Sequence, residues 1–376
     1  MIRKVLIIGG GIGGLSSAIA LRRHGIEVDI AEKTREGTVY HVGVVVQANF
    51  IRAMAALGIA DPAVAMGYPY DGLTFMDLHG KVLNQLYGQK IAGASYPTHL
   101  GMTRPALHQL LKRTCEALGA HLMLGTTFRT LTQSDASVHV EFVDGHAADY
   151  DLVIGADGIY SQVRREVFGE QYRPEFTGQG TWRYNVPRPP ELTASFLAMG
   201  PELEFGKCGF IPLSQETGYV WLVQKEPGNP RFPTARLADI FRARLAGCTG
   251  MLARLRDQIT DPDLVVYRPL ESLLMPEPWF RGRILLIGDA AHSTTPHMGQ
   301  GAAQAVEDAV VVGEVFASDL PLPAQMQEFM RRRYERCKFI VESSLQIGAW
   351  ELSGSSKNPL AVELTRKMLE VVAAPI

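Results

Sequence analysis

The chain has 376 residues, 46% hydrophobic and 20% charged, enough to bury a large core and to fold as one body of two interleaved domains. Lysine plus arginine (37) nearly balances aspartate plus glutamate (39), with no long run of either sign, which excludes the footprint of a nucleic-acid-binding protein. Four scattered cysteines (Cys115, Cys208, Cys248, Cys337), without CxxC or histidines at metal-ligand spacing, exclude a disulfide scaffold and a zinc finger and read as reduced thiols of a cytoplasmic protein.

The apolar start Val5-Leu6-Ile7-Ile8 is too short for a targeting segment and runs into five glycines within six residues, so it reads as a buried strand. No stretch approaches the roughly 18 to 20 apolar residues of a membrane span, and no membrane partner is expected. The opening residues predict a βαβ unit: a strand Lys4–Ile8, a helix from Ile12 to His24 stopped by Gly25, and a strand Glu27–Ala31. A connection through Gly43 to Asn49 leads to a helical pattern Ile51–Leu57 ending at Gly58. Strands with a turn at Asp77–Gly80 are expected within Leu73–Leu100, then a helix with Pro105 in its first turn running to Leu118.

Period-two alternation follows in Val138–Phe142, with Asp144-Gly145 as a hairpin signal and Leu152-Val153-Ile154 as a buried strand. From about 178 to 270 the chain reads as short aromatic-rich strands: Thr181–Val186, Leu203–Ile211 and Tyr219–Gln224. A strand and helix of the first type return at Arg283–Ile287 and Gly301–Phe316, which makes the first domain discontinuous. A long helix over Pro323–Trp350, a Ser-Gly-Ser-Ser link at 353–356 and a short amphipathic helix close the chain. The apolar face of that last helix (Leu360, Val362, Leu364, Met368, Leu369) could cap its own chain or a partner's, leaving monomer or homodimer open.

Gly9-Gly10-Gly11-Ile12-Gly13-Gly14 fits G-x-G-x-x-G between strand and helix, where glycines permit a tight turn and close approach of a pyrophosphate to the positive helix end. Glu32, 21 residues after Gly11, can hold the ribose hydroxyls of an adenine nucleotide. This fingerprint does not separate FAD from NAD. Gly288-Asp289-Ala290-Ala291-His292, then Pro296, Gly299-Gln300-Gly301 and Glu307-Asp308, forms a second strand–turn–helix. There Asp289 can bond a polyhydroxylated chain such as ribityl, and free amides at the start of the 301–316 helix favour negative charge on a reduced flavin.

With a third segment, Asp151-Leu152-Val153-Ile154-Gly155-Ala156-Asp157-Gly158, the sequence resembles the group A flavoprotein monooxygenases, the aromatic hydroxylases of salicylate, 3-hydroxybenzoate, 6-hydroxynicotinate and urate, over nearly its whole length. The resemblance implies an α/β fold with a discontinuous Rossmann-like FAD-binding domain (1–72, 101–177, 271–320). It also implies an inserted, mostly antiparallel β-sheet substrate domain (73–100, 178–270) and a C-terminal helical region (321–376). It implies FAD as cofactor, NADH or NADPH as electron donor, and hydroxylation of a small aromatic or heteroaromatic, phenol- or hydroxypyridine-like substrate with O₂ through a flavin C4a-hydroperoxide. Cofactor contacts are implied at Gly9, Gly11, Ile12, Gly14, Glu32, Lys33, Val44, Arg104, Phe128, Asp157, Asp289, Pro296, Gly299, Gln300, Gly301 and Ala302. The chain ends 75 residues after Gly301, without the thioredoxin-like extension of larger phenol hydroxylases, which points to the small-substrate branch.

The family's Gly-Ala-Gly-Ile run before the asparagine is replaced here by His41-Val42-Gly43-Val44, so His41 either shapes the flavin side of the site and touches substrate or is a surface histidine. The reaction needs no side-chain nucleophile or metal, and none is expected. Pro296 and His297 are the candidate wall over the flavin. Arg183 and Lys207 could bind an anionic substrate or its phenolate, or be surface cations. Tyr184, Phe205, Phe210, Tyr219 and Trp221 could wall a flat ring or belong to the core, with Tyr219 preferred as the phenol-side partner. His79, Tyr96 and His99 are candidate proton relays. The alternatives are a reductase of the same superfamily that inserts no oxygen, and a flavin-binding protein without turnover.

Overall fold

The apolar run after Lys4 forms β1 (Lys4–Ile8), its last four residues buried, and the glycines beyond it release the chain into α1 (Ile12–Arg23) and then β2 (Glu27–Glu32). The computed structural model describes residues 2–35, 41–200, 203, 206–354 and 359–376. Next come β3 (Gly43–Gln47), α2 (Ala48–Ala56), α3 (Ala60–Met66), β4 (Tyr68–Tyr70), β5 (Leu73–Met76), β6 (Val82–Leu86) and β7 (His99–Thr103). Thr103 caps α4 (Arg104–Ala117), its hydroxyl accepting from Ala106 N–H at 3.2 Å, and Pro105 fits the first turn because no helical partner awaits its missing N–H. The chain continues through β8 (His121–Leu124), β9 (Phe128–Gln133), β10 (Val138–Phe142), β11 (Ala147–Tyr150), β12 (Leu152–Gly155) and α5 (Gln162–Phe168). Then follow β13 (Glu175–Pro187), β14 (Ser195–Ala198), β15 (Lys207–Pro212), β16 (Thr217–Lys225), α6 (Leu237–Arg244), α7 (Gly250–Arg256) and β17 (Val266–Ser272). β18 (Phe280–Arg281), β19 (Ile284–Leu286), α8 (Asp289–His292), α9 (Gly301–Phe316), α10 (Leu322–Leu352) and α11 (Pro359–Ala373) complete it.

A six-stranded sheet in the order β18-β19-β12-β1-β2-β8 is parallel except at β18, which is the doubly wound arrangement that places ligands beyond the carboxyl ends of its strands. α1 and α9 pack closely beside it. A Cβ on Gly313 would lie 2.8 Å from that of Ala20, so a larger residue there would push the helices apart. A seven-stranded sheet in the order β17-β13-β16-β15-β14-β5-β6 is antiparallel except at the β14–β5 pair. Two three-stranded sheets, β11-β10-β9 and β3-β7-β4, flank these.

The fold class expected from sequence is present: a mixed α/β architecture with a mostly antiparallel second sheet and C-terminal helices. Two details differ. The stretch read as strands alone contains α6 and α7, whose Leu237, Phe241, Leu252 and Leu255 pack on one face of the seven-stranded sheet with Trp182, Tyr184, Phe210 and Leu222. The strand expected from Leu203 begins at Lys207, and Phe205 lies outside the described residues, as do Ser355 and Ser356 of the expected link. α11 caps its own chain: Met368 and Val372 pack with Met298 and Ile340, while Leu360, Val362 and Leu369 stay exposed. No helix among the described residues is long and apolar enough to cross a membrane.

Candidate active site

The carboxyl ends of β1 and β12, the start of α9 and one face of the seven-stranded sheet enclose a cavity of about 2400 Å³. Ordinary ligand pockets measure roughly 300 to 1,000 Å³, so this one has room for a dinucleotide and a second molecule together. Its nucleotide end is built by the first glycine turn. Gly9 sits at φ 110°, and a Cβ on Gly14 would lie 2.0 Å from the Gly9 carbonyl oxygen, so neither position tolerates a side chain. A Cβ on Gly11 would meet nothing within 4 Å, and Gly11 and Ile12 open onto the cavity at the positive end of α1. Glu32 Oε2 accepts from Gly10 N–H at 2.8 Å, and its Oε1 accepts from the Thr34 amide and hydroxyl at 2.9 and 2.7 Å. The carboxylate is thereby fixed beside the turn, with a lone pair of Oε2 left for a ribose hydroxyl. Lys33 is exposed, and the Phe128 ring is buried in the main core.

Arg104 lines the cavity at the start of α4, and its Nε is buried with no hydrogen-bond partner among the described residues. A buried guanidinium N–H left unsatisfied is costly, which fits this position to an anionic ligand such as a pyrophosphate. Asp157 is engaged otherwise. Its carboxylate takes the Ser161 hydroxyl and the amides of Gln162 (2.7 Å) and Val163 (3.0 Å), so it caps α5, while the neighbouring Ala156 and Gly158 reach the cavity.

At the second glycine turn, Asp289 opens into the cavity. Burial raises its pKa, with His292 and Arg104 opposing. The motif residues His292, Glu307 and Asp308 meet here in one charge network whose cation, Arg333, sequence reasoning missed. Asp308 Oδ2 accepts from Gly288 N–H at 2.8 Å and pairs with His292 Nε2 at 2.7 Å, and Arg333 of α10 bonds Asp308 at 2.7 Å and Glu307 at 2.9 Å. Burial works against both charged forms, but the partners hold the Asp308 carboxyl far below its ordinary range and His292 well above its own. His292, Asp308 and Cys337 converge closely enough for a metal, but Arg333 donates to both Asp308 and the Cys337 sulfur and already supplies the positive charge. Pro296, Gly299, Gly301, Ala302 and Val44 line the cavity; the Gln300 side chain is tied to Gln47 (2.6 Å) and Asn49 (3.2 Å), leaving its backbone to face a ligand. Open glycine turns, an unpartnered Arg104 donor and the cavity's size together fit FAD.

Alternation along the strands sorts the remaining candidates. Arg183, Tyr219 and Trp221 face the cavity, whereas Tyr184 and Phe210 face the core under α6 and α7. Arg183 has no ion-pair partner among the described residues. Burial, then Arg104, destabilises its cationic form, so an incoming anion would be strongly held. Burial raises the Tyr219 pKa, and its hydroxyl stays protonated as a donor. Trp221 Nε1 is buried without a partner among the described residues. At Gly43 a Cβ would lie 2.4 Å from Leu213 Cδ2 and 2.6 Å from Tyr219 Cε1, so the glycine makes room for both side chains.

Three candidates are corrected. Lys207 is neither a surface cation nor a free one, because Glu351 holds its ammonium at 2.6 Å. His297 lines the cavity, but its Nδ1 meets the Thr295 hydroxyl at 2.8 Å and its Nε2 meets Glu351 at 3.1 Å, which leaves neither nitrogen for a substrate. His41 is exposed and off the cavity, and only its carbonyl is engaged, by Asn185. Among the relay candidates, Tyr96 donates to Asp61 at 2.8 Å away from the cavity, His79 pairs with Thr249 at the rim, and His99 lies in the wall stacked on Tyr70. Glu351, 144 residues from Lys207, carried no local signal.

Comparison with known proteins agrees with this geometry. The profile of a family described as FAD binding domain matches residues 3–336. Aurachin C monooxygenase/isomerase of Stigmatella aurantiaca is 30% identical over 98% of this chain and 94% of its own length. The 2-heptyl-3-hydroxy-4(1H)-quinolone synthase of Pseudomonas aeruginosa is 30% identical over the same shares, 98% and 94%. The crystal structure of Klebsiella pneumoniae HpxO complexed with FAD and uric acid is similar with a TM-score of 0.88 at 25% identity, covering 99% of this chain and 97% of that one.

Proposed function

The chain belongs to the FAD binding domain family and is an FAD-dependent monooxygenase, and from that premise we propose that it hydroxylates a heteroaromatic or phenolic ring presented as an anion or enol. One observation carries the substrate assignment: Arg183, Tyr219 and Trp221 bring a guanidinium, a phenol and an unpartnered indole N–H together on one face of the sheet, in the cavity that also holds the glycine turns. The names of the quinolone and aurachin relatives and of the urate-bound structure support a ring that can carry negative charge on oxygen.

FAD would rest on Gly9, Gly11, Ile12 and Gly14 with Glu32 at its ribose, Arg104 at its phosphates and Asp289 at its ribityl chain. Gly299, Gly301, Ala302 and Val44 would border its ring. Bound FAD, reduced by NADH or NADPH, supplies the electrophilic oxygen derived from O₂. Everything else falls to the chain's residues. Arg183 neutralises the ring oxygen and so favours the ionised, more nucleophilic form, and Tyr219 donates a second bond that orients it. Trp221 closes the wall, and Pro296 with the 3-10 turn Pro296–Met298 keeps water away. His297 holds that turn through its two nitrogens, which engage Thr295 and Glu351 rather than the substrate. The same reading takes the protein as a cytoplasmic enzyme, monomer or homodimer.

The test is NADH and NADPH oxidation by the FAD-loaded protein across hydroxybenzoates, hydroxypyridine carboxylates, hydroxyquinolines and purines, with peroxide and product mass followed together. A compound that accelerates oxidation and gains one oxygen atom without matching peroxide is the expected result. Acceleration by none of these classes, with anaerobic reduction of a quinone or alkene, would replace the hydroxylase by a reductase.

A further inference from the structure

The cavity-facing side of the seven-stranded sheet changes character from one end to the other. Its register aligns Arg183, Trp221, Gly209, Leu197, Phe75 and Asn84 in one row across β13, β16, β15, β14, β5 and β6. Beside it, Tyr219 pairs with Ile211 on β16 and β15, and Ser195, Leu73 and Leu86 align on β14, β5 and β6. The first part of each row carries the guanidinium, the phenol and the indole N–H. Beyond β15 the large side chains on the cavity wall are Leu197, Phe75, Leu73 and Leu86, with Met199 and Leu83 next to them.

Two polar atoms on this second part are engaged by the backbone. Ser195 donates to the Gly72 carbonyl at 3.5 Å, and Asn84 Oδ1 accepts from Gln85 N–H at 2.8 Å. Neighbouring strands lie about 4.8 Å apart, so the three steps from β15 to β6 extend an apolar track about 14 Å past the ring-binding end. The track ends on an edge strand that is exposed throughout: Leu83 is 60% and Leu86 39% accessible, and Tyr87 beyond it is 71% accessible. Bare hydrophobic edges invite aggregation and are ordinarily charged or covered. The opposite face of the same strands is conventional, with Phe196 and Phe210 packed in the core beneath α6 and α7.

We propose that the substrate is amphiphilic, an anionic heteroaromatic ring bearing an extended alkyl chain, with the ring at Arg183, Tyr219 and Trp221 and the chain laid across β14, β5 and β6. The position of the ring rests on the hydroxylase reading of this cavity. The track itself rests on the register and on its uncovered apolar side chains. A chain seated there removes its methylenes and the faces of Leu73, Phe75, Leu86 and Leu197 from water at once, and each methylene so buried tightens binding roughly three- to fourfold.

The test uses the FAD-loaded protein without NAD(P)H, so that binding is read from the change in flavin absorbance apart from turnover. The probes are hydroxyquinolines and salicylates bearing no chain, then methyl through nonyl. The dissociation constant is expected to fall roughly three- to fourfold per added carbon over the first several and then level off. Leu83→Asp and Leu86→Asp, both at accessible positions, flatten that slope, whereas Val143→Asp, also exposed but away from the cavity, leaves it intact. A wild-type constant indifferent to chain length, or a slope unchanged in both aspartate variants, overturns the proposal. So does loss of phosphatidylglycerol-vesicle binding in those variants without any chain-length effect, which would make the strand a lipid-facing surface. A parallel turnover assay with NAD(P)H and O₂ separates the two readings: if unsubstituted rings bind and are hydroxylated but chains add nothing, the track fails and the hydroxylase stands. If chains tighten binding but no compound gains oxygen, the track stands and the hydroxylase reading fails.

Discussion

Lys207 Nζ on β15 lies 2.6 Å from Glu351 Oε1 on α10, and the other oxygen of that carboxylate takes His297 Nε2 at 3.1 Å and Gln179 Nε2 at 3.0 Å. One carboxylate thus ties the substrate sheet and the turn beside the flavin position to the last turn of the long helix. Burial opposes the charged form of Glu351, yet Lys207 and the bond from His297 hold its pKa down to about 2.

Glu351→Gln should leave the Lys207 ammonium buried and unpaired. Losing one partner of a buried pair costs about 3 to 5 kcal/mol, whereas replacing both by apolar groups of similar size is often nearly neutral. Urea denaturation of Glu351→Gln, Lys207→Met and the double variant Lys207→Met/Glu351→Leu checks this. The double variant should recover most of the loss, and additive losses would show that the two residues do not act as a pair.

Stability should decline at mildly acidic pH through His99. Burial lowers its pKa from 6.5 to about 4, with Asp71 opposing. Because the folded value lies below the unfolded one, the contribution is complete above pH 6.5 and is lost as pH falls toward 4. Its size is at most about 3 kcal/mol, discounted for the part of the ring that meets the cavity. Denaturation midpoints measured from pH 7 to pH 4 should fall in the wild type and fall less steeply in His99→Gln, and identical profiles would assign the decline elsewhere.

Gly14→Ala should give protein with little bound FAD, because the added Cβ would lie 2.0 Å from the Gly9 carbonyl oxygen and must open the turn that approaches the pyrophosphate. Flavin absorbance per polypeptide after gel filtration measures this. Full occupancy in the folded variant would place the dinucleotide elsewhere.

Arg183→Met should lower kcat/KM for an anionic ring by roughly ten- to a hundredfold, the worth of one charge-assisted hydrogen bond, and Arg183→Lys should recover part of it. A uniform loss for neutral and anionic substrates alike would assign Arg183 to the wall rather than to recognition.

The glycine turns, the βαβ unit, the helix Gly301–Phe316 and the short inserted strands were legible in the sequence, because each depends on residues within a few positions of one another. α6 and α7 were not, since each is a short helix formed by packing Leu237, Phe241 and Leu255 on a sheet rather than by its own propensity. Period two dictates that Arg183 and Trp182 point to opposite faces, but only the helices covering Trp182 decide that Arg183 is the one facing the cavity. The fates of Lys207 and His297 likewise turned on Glu351, which reaches them from another element. By itself the sequence determined which turns can admit a pyrophosphate and which residues share a face. The tertiary structure alone decided which charges meet, because a buried ammonium takes the nearest carboxylate in space, however far off along the chain.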